Sequence, residues 1–365
     1  MAGDVQIMRE TKRRTRRAEH TDRTYRTPVR PPKKDKQLGV IKLVIVLLLC
    51  IICALGAASW IVFVKNKEVH LTRLYDKSDP VYGVEKVMFN SNRAASFAED
   101  LCVSTGNENT SSLNMSAKAS GSFNLAEKKT EYANNVFTKM YPASITKVMT
   151  ALVVLKNCDL QETVYVGEEC KDIEMGSSIC MIEPGDQLTV EQLLYGLLLN
   201  SGNDAAMSLA VHAGGSVENF VDMMNKEAQA LGATGTHFMN PHGLHDENHY
   251  TTLYDVYLFF QEAIKYEIFE TILSEPEYYS VFIRDNDKYG IMWQSTNFYH
   301  INEAVPPKDV VVVGGKTGTT DAAGNCLCLL SKDKYGDSHV SIVMNAESKE
   351  VLYQEMNKLL SKINN

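Results

Sequence analysis

Pro142-Ala143-Ser144-Ile145-Thr146-Lys147-Val148-Met149-Thr150 sets a serine, and a lysine three positions later, at the head of an apolar run. Ile145, Val148, Met149, Leu152, Val153 and Leu155 recur at helical spacing, which predicts Ser144 at or near a helix N-terminus. Lys147 then lies on the same face one turn later. A serine hydroxyl is a poor nucleophile until a base takes its proton. A lysine can be that base when burial and a nearby cation lower its pKa. The free N–H groups of a helix start also favour developing negative charge.

Two more short motifs follow in order. Ser201-Gly202-Asn203 comes 57 residues after Ser144, and Lys316-Thr317-Gly318 another 115 residues on. Each alone is weak: Ser-x-x-Lys arises by chance in many helices, Gly-Asn suits any turn, and Lys-Thr-Gly suits any hairpin entry. Their placement on a helix start, an interhelical loop and a strand makes the joint reading specific. Lys316 is the candidate cation beside Lys147. Gly318 has no side chain and would let substrate lie along the strand. The backbone N–H of Thr319 is the expected second oxyanion donor. No Ser-His-Asp arrangement is implied by the histidines.

The surrounding pattern predicts an α/β domain. Alternation over 117–137 suggests a hairpin with Asn134-Asn135 near its turn. Arg93–Val103 reads as a short helix feeding a strand. Thr189-Val190-Glu191-Gln192 fits a capping box opening a helix at Val190. Asp204–His212 resumes the helical pattern, Gly214-Gly215 stops it, and Ser216 caps another helix. The block 188–265 reads as all-helical, with only helices expected between the second motif and the strands of the third. Val310–Val313, Asn325–Leu330 and Val340–Met344 predict an antiparallel meander, and Glu350–Ile363 a final helix packed on the sheet. The expected fold is therefore an antiparallel sheet flanked by helices, with an all-helical subdomain.

Charge divides the chain. Residues 1–37 carry twelve Lys/Arg and five Asp/Glu, while the whole chain has a formal charge of −8. Leu43–Val64 is 22 residues without a charge, flanked by Lys42 and Lys65. That length crosses a bilayer core and exceeds a signal-peptide apolar region of roughly 7–15 residues. The expected organisation is a cytoplasmic basic tail at 1–42, a transmembrane helix at 43–64, a juxtamembrane linker at 65–84 and a catalytic domain at 85–365. The positive-inside rule places the catalytic domain outside the cell membrane, in a single-pass arrangement. Tyr25 is the only aromatic residue among the tail's charges, so a nucleic-acid partner is not expected.

Eight cysteines are present. Cys50 and Cys53 fall in the apolar segment. Cys170 and Cys180 stand ten positions apart and could form a disulfide across a hairpin, or stay free. Cys326 and Cys328 share one face of a predicted strand and read as buried thiols. No His sits at ligand spacing to these cysteines in the sequence, so neither a metal site nor a cofactor is expected.

The motifs resemble those of the low-molecular-mass penicillin-binding proteins of the D-alanyl-D-alanine carboxypeptidase type, in the β-lactamase/transpeptidase-like superfamily. The likeness runs from about residue 85 onward. It rests on Pro142–Thr150, Ser201-Gly202-Asn203-Asp204-Ala205, His242-Gly243-Leu244 and Lys316-Thr317-Gly318-Thr319-Thr320-Asp321 with Ala323-Gly324. The resemblance implies Ser144 as nucleophile and Lys147 as acylation base. It implies Ser201 as a proton relay between Lys147, Lys316 and the leaving amine. Asn203 would hold the substrate amide carbonyl, and Lys316, Thr317 and Thr319 the terminal carboxylate. It implies peptidoglycan stem peptides as substrates and β-lactam antibiotics as inhibitors. His242 is left open between a catalytic and a structural role. Thr319 stands where some such carboxypeptidases have His. Many relatives add a β-rich domain and a C-terminal amphipathic anchor; 49 residues follow Lys316, and the N-terminal apolar segment is expected to replace that anchor.

Three alternatives share the motifs. A class A β-lactamase would need a deacylating Glu, and none stands in a matching context between Ser201 and Lys316. An endopeptidase or transpeptidase fits the same fold. A degenerate wall-binding sensor would not need every motif residue intact.

Overall fold

Ala119–Asn124 (β1) and Lys129–Asn134 (β2) form the expected hairpin. Its turn is at residues 125–128, where Lys128 adopts φ 54°; Asn135, with the same φ, instead bends the chain away from the end of β2. These elements belong to a computed structural model that describes residues 100–364. The expected tail, transmembrane helix, linker, Cys50, Cys53 and most of the Arg93–Val103 helix lie outside the described residues. The part of that helix which is described, 100–103, is not helical; Val103 makes a single bridge to Lys129.

Thr146–Asn157 (α1) follows the first motif, then the short strands Thr163–Tyr165 (β3) and Gln187–Thr189 (β4). Val190–Leu198 (α2), Asn203–Gly214 (α3) and Val217–Ala230 (α4) come next, and then Leu253–Ala263 (α5) and Glu267–Ser274 (α6). The capping box is formed: Thr189 accepts from the Gln192 amide, and Gln192 accepts from the Thr189 amide. Gly215 ends α3 at φ 73°, and Ser216 caps α4 by accepting from Asn219.

Glu277–Arg284 (β5) and Asp287–Gln294 (β6) correct the sequence reading. A hairpin, not a helix, separates the helical block from the third motif. With β3 and β4 it makes a four-stranded sheet in the order β3-β4-β5-β6. Asp285 and Asn286 both take positive φ, 50° and 67°, the conformation that two-residue hairpin turns require. The helical subdomain is thus helical with a small sheet attached.

Val311–Thr320 (β7), Gly324–Lys332 (β8) and Ser338–Ala346 (β9) are the expected meander. They join the first hairpin in a five-stranded antiparallel sheet ordered β2-β1-β9-β8-β7. The third motif lies within β7, at a sheet edge. Both faces of this sheet are covered. Cys326, Cys328 and Leu330 join the core with the helices around α1, while Leu327 and Leu329 join the core under the last helix, Lys349–Leu360 (α7). Leu352, Met356, Leu359 and Leu360 of α7 are buried there, each contributing about 1.5–3 kcal/mol.

The cysteines stay apart. Cys170 and Cys180 are both free and buried. Cys180 Sγ is directed at the second-motif loop, so close that a Cβ on Gly202 would stand 2.2 Å from it. Cys170 Sγ instead lies 3.9 Å from the Ile182 carbonyl. Cys326 and Cys328 are buried free thiols, as expected.

One buried carboxylate fastens the ends of the domain together. Glu355 of α7 is 1% exposed and accepts from the Ser116 amide, the Ser116 hydroxyl at 2.6 Å and the Ala117 amide at 2.8 Å. Removing the acceptor strands these donors. Glu355→Ala is expected to cost about 2–3 kcal/mol and lower the thermal midpoint by several degrees, read by circular dichroism. An unchanged midpoint would show that this carboxylate does not hold α7 to the chain before β1.

Candidate active site

Ala143–Ile145 forms a single 3-10 turn before α1, so Ser144 does precede a helix. The turn is held under constraint. Ala143 takes φ 48°, a left-handed conformation that costs a non-glycine residue about 1–3 kcal/mol. Thr146 Oγ1 donates to the Ala143 carbonyl at 2.8 Å. His249 Nδ1 accepts from the Met239 amide at 3.0 Å, so its proton is on Nε2, which donates to Thr146 Oγ1 at 2.8 Å. Burial pushes His249 down to about 4 and keeps it neutral. Gly243, at φ 89°, packs against the same turn; a Cβ there would stand 1.9 Å from the Ala143 oxygen.

Lys147 is completely buried, and its amine meets three oxygens. They are Ser144 Oγ at 3.0 Å, Asn203 Oδ1 at 2.7 Å and the His242 carbonyl at 2.8 Å. Burial above all, and then the charge of Lys316, hold its pKa well below the usual lysine range. Lys316 is also fully buried, and burial lowers it to about 7. Its amine donates to Ser201 Oγ at 2.9 Å and to the Thr317 carbonyl at 2.9 Å.

The six residues Ser144, Lys147, Ser201, Asn203, Lys316 and Thr317 are therefore brought together, but in a definite pairing. Ser144 bonds to Lys147, and Ser201 bonds to Lys316. No hydrogen bond joins Ser201 to Lys147 among the described residues. Ser201 holds φ 58°, a left-handed conformation, in the loop between α2 and α3. Gly318 has a different consequence from the one its sequence position suggests. A Cβ there would stand 2.9 Å from the Ser144 nitrogen and 3.0 Å from the Ile145 nitrogen. Its missing side chain lets β7 lie against the nucleophile turn itself.

Thr317 and Thr319 line a cleft of about 220 Å³ that also meets Ser144, Ser201, Phe298 and Tyr353. Thr317 Oγ1 lies 2.6 Å from Thr296 Oγ1, and Thr319 Oγ1 donates to Asn325 Oδ1 at 3.2 Å. A second depression reaches Ser144 from the side of Asn203, Leu244, Glu174 and Asp321. His242 contributes its backbone: its carbonyl meets Lys147, and its ring Nδ1 accepts from the Leu244 amide at 3.1 Å. Burial, and then the charge of Lys147, lower that ring to about 3.

Sequence reasoning passed over Asp204, Thr296 and His249. Asp204 is buried; its carboxylate accepts from the Cys180 and Ala205 amides at 2.8 Å each, which orders the loop facing the second motif. Thr296 follows the hairpin that the sequence reading missed, and its amide ties to the Leu199 carbonyl at 3.2 Å. A His at 249 flanked by polar residues gives no local signal of a buried bond to Thr146. Among the described residues, no carboxylate hydrogen-bonds to Ser144 or Lys147.

Comparisons with known proteins give the family. The chain is 32% identical over 269 residues to D-alanyl-D-alanine carboxypeptidase DacF of Bacillus subtilis, covering 72% of this chain and 66% of that protein. It is 34% identical over 239 residues to D-alanyl-D-alanine carboxypeptidase DacC of Escherichia coli, covering 62% of this chain and 56% of that one. It thus spans less than two thirds of the length of either relative. The crystal structure of the Streptomyces K15 DD-transpeptidase superposes with a TM-score of 0.64 at 27% identity, over 68% of this chain and 97% of that one. A D-alanyl-D-alanine carboxypeptidase from Mycobacterium tuberculosis superposes at 0.60 with 29% identity, over 68% and 91% of the two chains. With the family's sequence model matching residues 106–348, the chain belongs to the peptidase S11 family, D-alanyl-D-alanine carboxypeptidase.

Proposed function

We propose that this chain is a serine D-alanyl-D-alanine carboxypeptidase, removing the terminal D-alanine of peptidoglycan stem peptides through an acyl-enzyme. The observation that carries the reading is the trio of oxygens around Lys147. A neutral amine has two N–H donors and one lone pair. Asn203 Oδ1 and the His242 carbonyl can only accept, so they take both donors. The lone pair is left facing Ser144 Oγ, whose proton it can receive.

Ser144 then attacks the penultimate carbonyl. The backbone N–H groups of Ser144 and Thr319 are placed to receive the oxyanion, because Gly318 lets the strand approach the turn. Asn203 gives its Oδ1 to Lys147, which leaves its Nδ2 for the substrate amide carbonyl. Ser201 accepts from Lys316, so its own proton is free for the leaving amine. This narrows the relay to Ser201 with Lys316. The carboxylate of the departing D-alanine fits the side of the cleft with Thr317, Thr319 and the Lys316 charge. As D-alanine leaves with the Ser201 proton, Lys316 re-protonates Ser201, and Lys147 passes the proton it took from Ser144 to the neutral Lys316 through entering solvent. Neutral again, Lys147 takes a proton from the hydrolytic water and returns it to Ser144 as the ester breaks. β-Lactams would acylate Ser144 by the same route. A class A β-lactamase is the poorer reading, since no carboxylate meets the nucleophile or its base among the described residues.

The uncharged stretch Leu43–Val64 after a basic tail supports anchoring to the cell membrane, with the catalytic domain outside. Transpeptidation is a second reading, favoured by the superposition on the DD-transpeptidase. Mass spectrometry of a synthetic stem pentapeptide, with and without an amine acceptor, separates the two. Free D-alanine with tetrapeptide is expected, and is expected to vanish in Ser144→Ala. A product found only joined to the acceptor would favour transfer, and undiminished D-alanine release from Ser144→Ala would overturn the assignment.

Lys147→Ala should lower the acylation rate by about 10²–10⁴-fold without changing the circular dichroism spectrum; labelling by a fluorescent penicillin reads it. Undiminished labelling would remove Lys147 as the base. The pH profile has a defined sign. Lys147 acts when neutral, so kcat/KM rises with pH as it loses its proton. Its lowered pKa moves that rise to well below the ordinary 10.5. A half-rise near 10.5 would show a lysine of ordinary basicity.

A further inference from the structure

Opposite ends of the two catalytic helices meet again. α1 starts beside Ser144 and ends at its C-cap, Cys158; α3 starts at Asn203 and carries His212 in its last turn. Glu162 lies in the turn between α1 and β3. The donor atoms of Cys158, Glu162 and His212 all fall within 4.8 Å of one another. His212 Nε2 is already 2.9 Å from Glu162 Oε2. No sequence spacing announces this group, because Cys158 and His212 stand 54 positions apart, with β3, β4 and α2 between them.

We propose that Cys158, Glu162 and His212 bind one zinc ion. Thiolate, imidazole and carboxylate are the three donor types that zinc takes together, and three protein ligands with water complete its tetrahedron. Ligand atoms around such an ion stand roughly 3.3–3.6 Å apart, and the donor atoms of the trio already lie within 4.8 Å of one another without an ion. The fold adds to the donor set. Cys158 is the C-cap of α1 and His212 lies in the last turn of α3, and helix C-termini favour a cation. Cys158, half-buried at the C-cap of α1, supplies the one soft donor of the three. Binding would expel that thiol proton to solvent and form the S–Zn bond, with no change of oxidation state. His212 would exchange its bond to Glu162 for the metal. The ion would then tie the far ends of the helices whose near ends hold Ser144, Lys147 and Asn203. It takes no part in the hydrolysis, and the trio stands whether or not the proposed function does.

Cobalt(II) is the probe, since thiolate ligation gives it a charge-transfer band in the near ultraviolet. Titration of the full chain should develop that band at one ion per chain, and zinc should bleach it. Cys158→Ser should lose the band, and His212→Ala should weaken binding by more than about 100-fold, beyond what outer-shell changes do. Zinc should raise the thermal midpoint of the wild type and not of Cys158→Ser, while penicillin labelling of Ser144 stays the same in both. Absence of the band, or an equal band in Cys158→Ser, would overturn the proposal. Loss of labelling with the band intact would count against the proposed hydrolase and leave the metal site standing.

Discussion

The active site depends on one enclosed amine. Lys147 is fully buried in the free protein, and its nitrogen meets three oxygens of the protein. A second amine, Lys316, is buried in the same site. Two ammonium ions this close and this dry are costly, so the site favours at least one of them neutral. The folded chain gives up the Lys316 proton at about 7, whereas an exposed lysine holds it to about 10.5. Because the unfolded chain binds more protons across that window, stability from this group rises with pH there. Such groups lower folding stability at neutral pH and persist because the chemistry needs a base.

The rest of the fold positions four short segments against that amine. The 3-10 turn, kept in a left-handed backbone by the Ala143–Thr146–His249 chain of hydrogen bonds, presents Ser144. The loop between α2 and α3 presents Ser201 and Asn203, and the Asp204 carboxylate holds it to the Cys180 backbone. The segment with Gly243 brings the His242 carbonyl. β7 brings Lys316, and its glycine at 318 allows a contact that a methyl group would prevent. Each segment is anchored by a buried polar group, which is why the site can be strained and still ordered.

Much of this was legible in the sequence. The helix start at Ser144, the capping box at Thr189, the stop at Gly215 and the three meander strands are local signals, and local physics decides them. The convergence of the three motifs was legible only through their resemblance to a known pattern, since neither spacing determines a distance in space. What escaped notice has physical reasons. The β5–β6 hairpin has an Asp285-Asn286 turn between Tyr-, Val- and Ile-containing runs, a local signal that the sequence reading did not use. Thr296 depends on that hairpin for its place. The bond between His249 and Thr146 spans 103 residues, and no periodicity reports it. Cys170 and Cys180 lie close in sequence, yet the second draws into the core around Gly202. The split between a Ser144–Lys147 pair and a Ser201–Lys316 pair is likewise a property of the packed site.

The central claim is that Lys147 is neutral when the proposed hydrolysis begins. The most direct measurement is an NMR titration of the lysine side-chain amines in the free protein, with Lys147 assigned through Lys147→Arg. A titration midpoint well below 10.5, moving upward in Lys316→Ala as the neighbouring charge is removed, is the predicted result. A midpoint at the ordinary lysine value, unmoved by that substitution, would contradict the account.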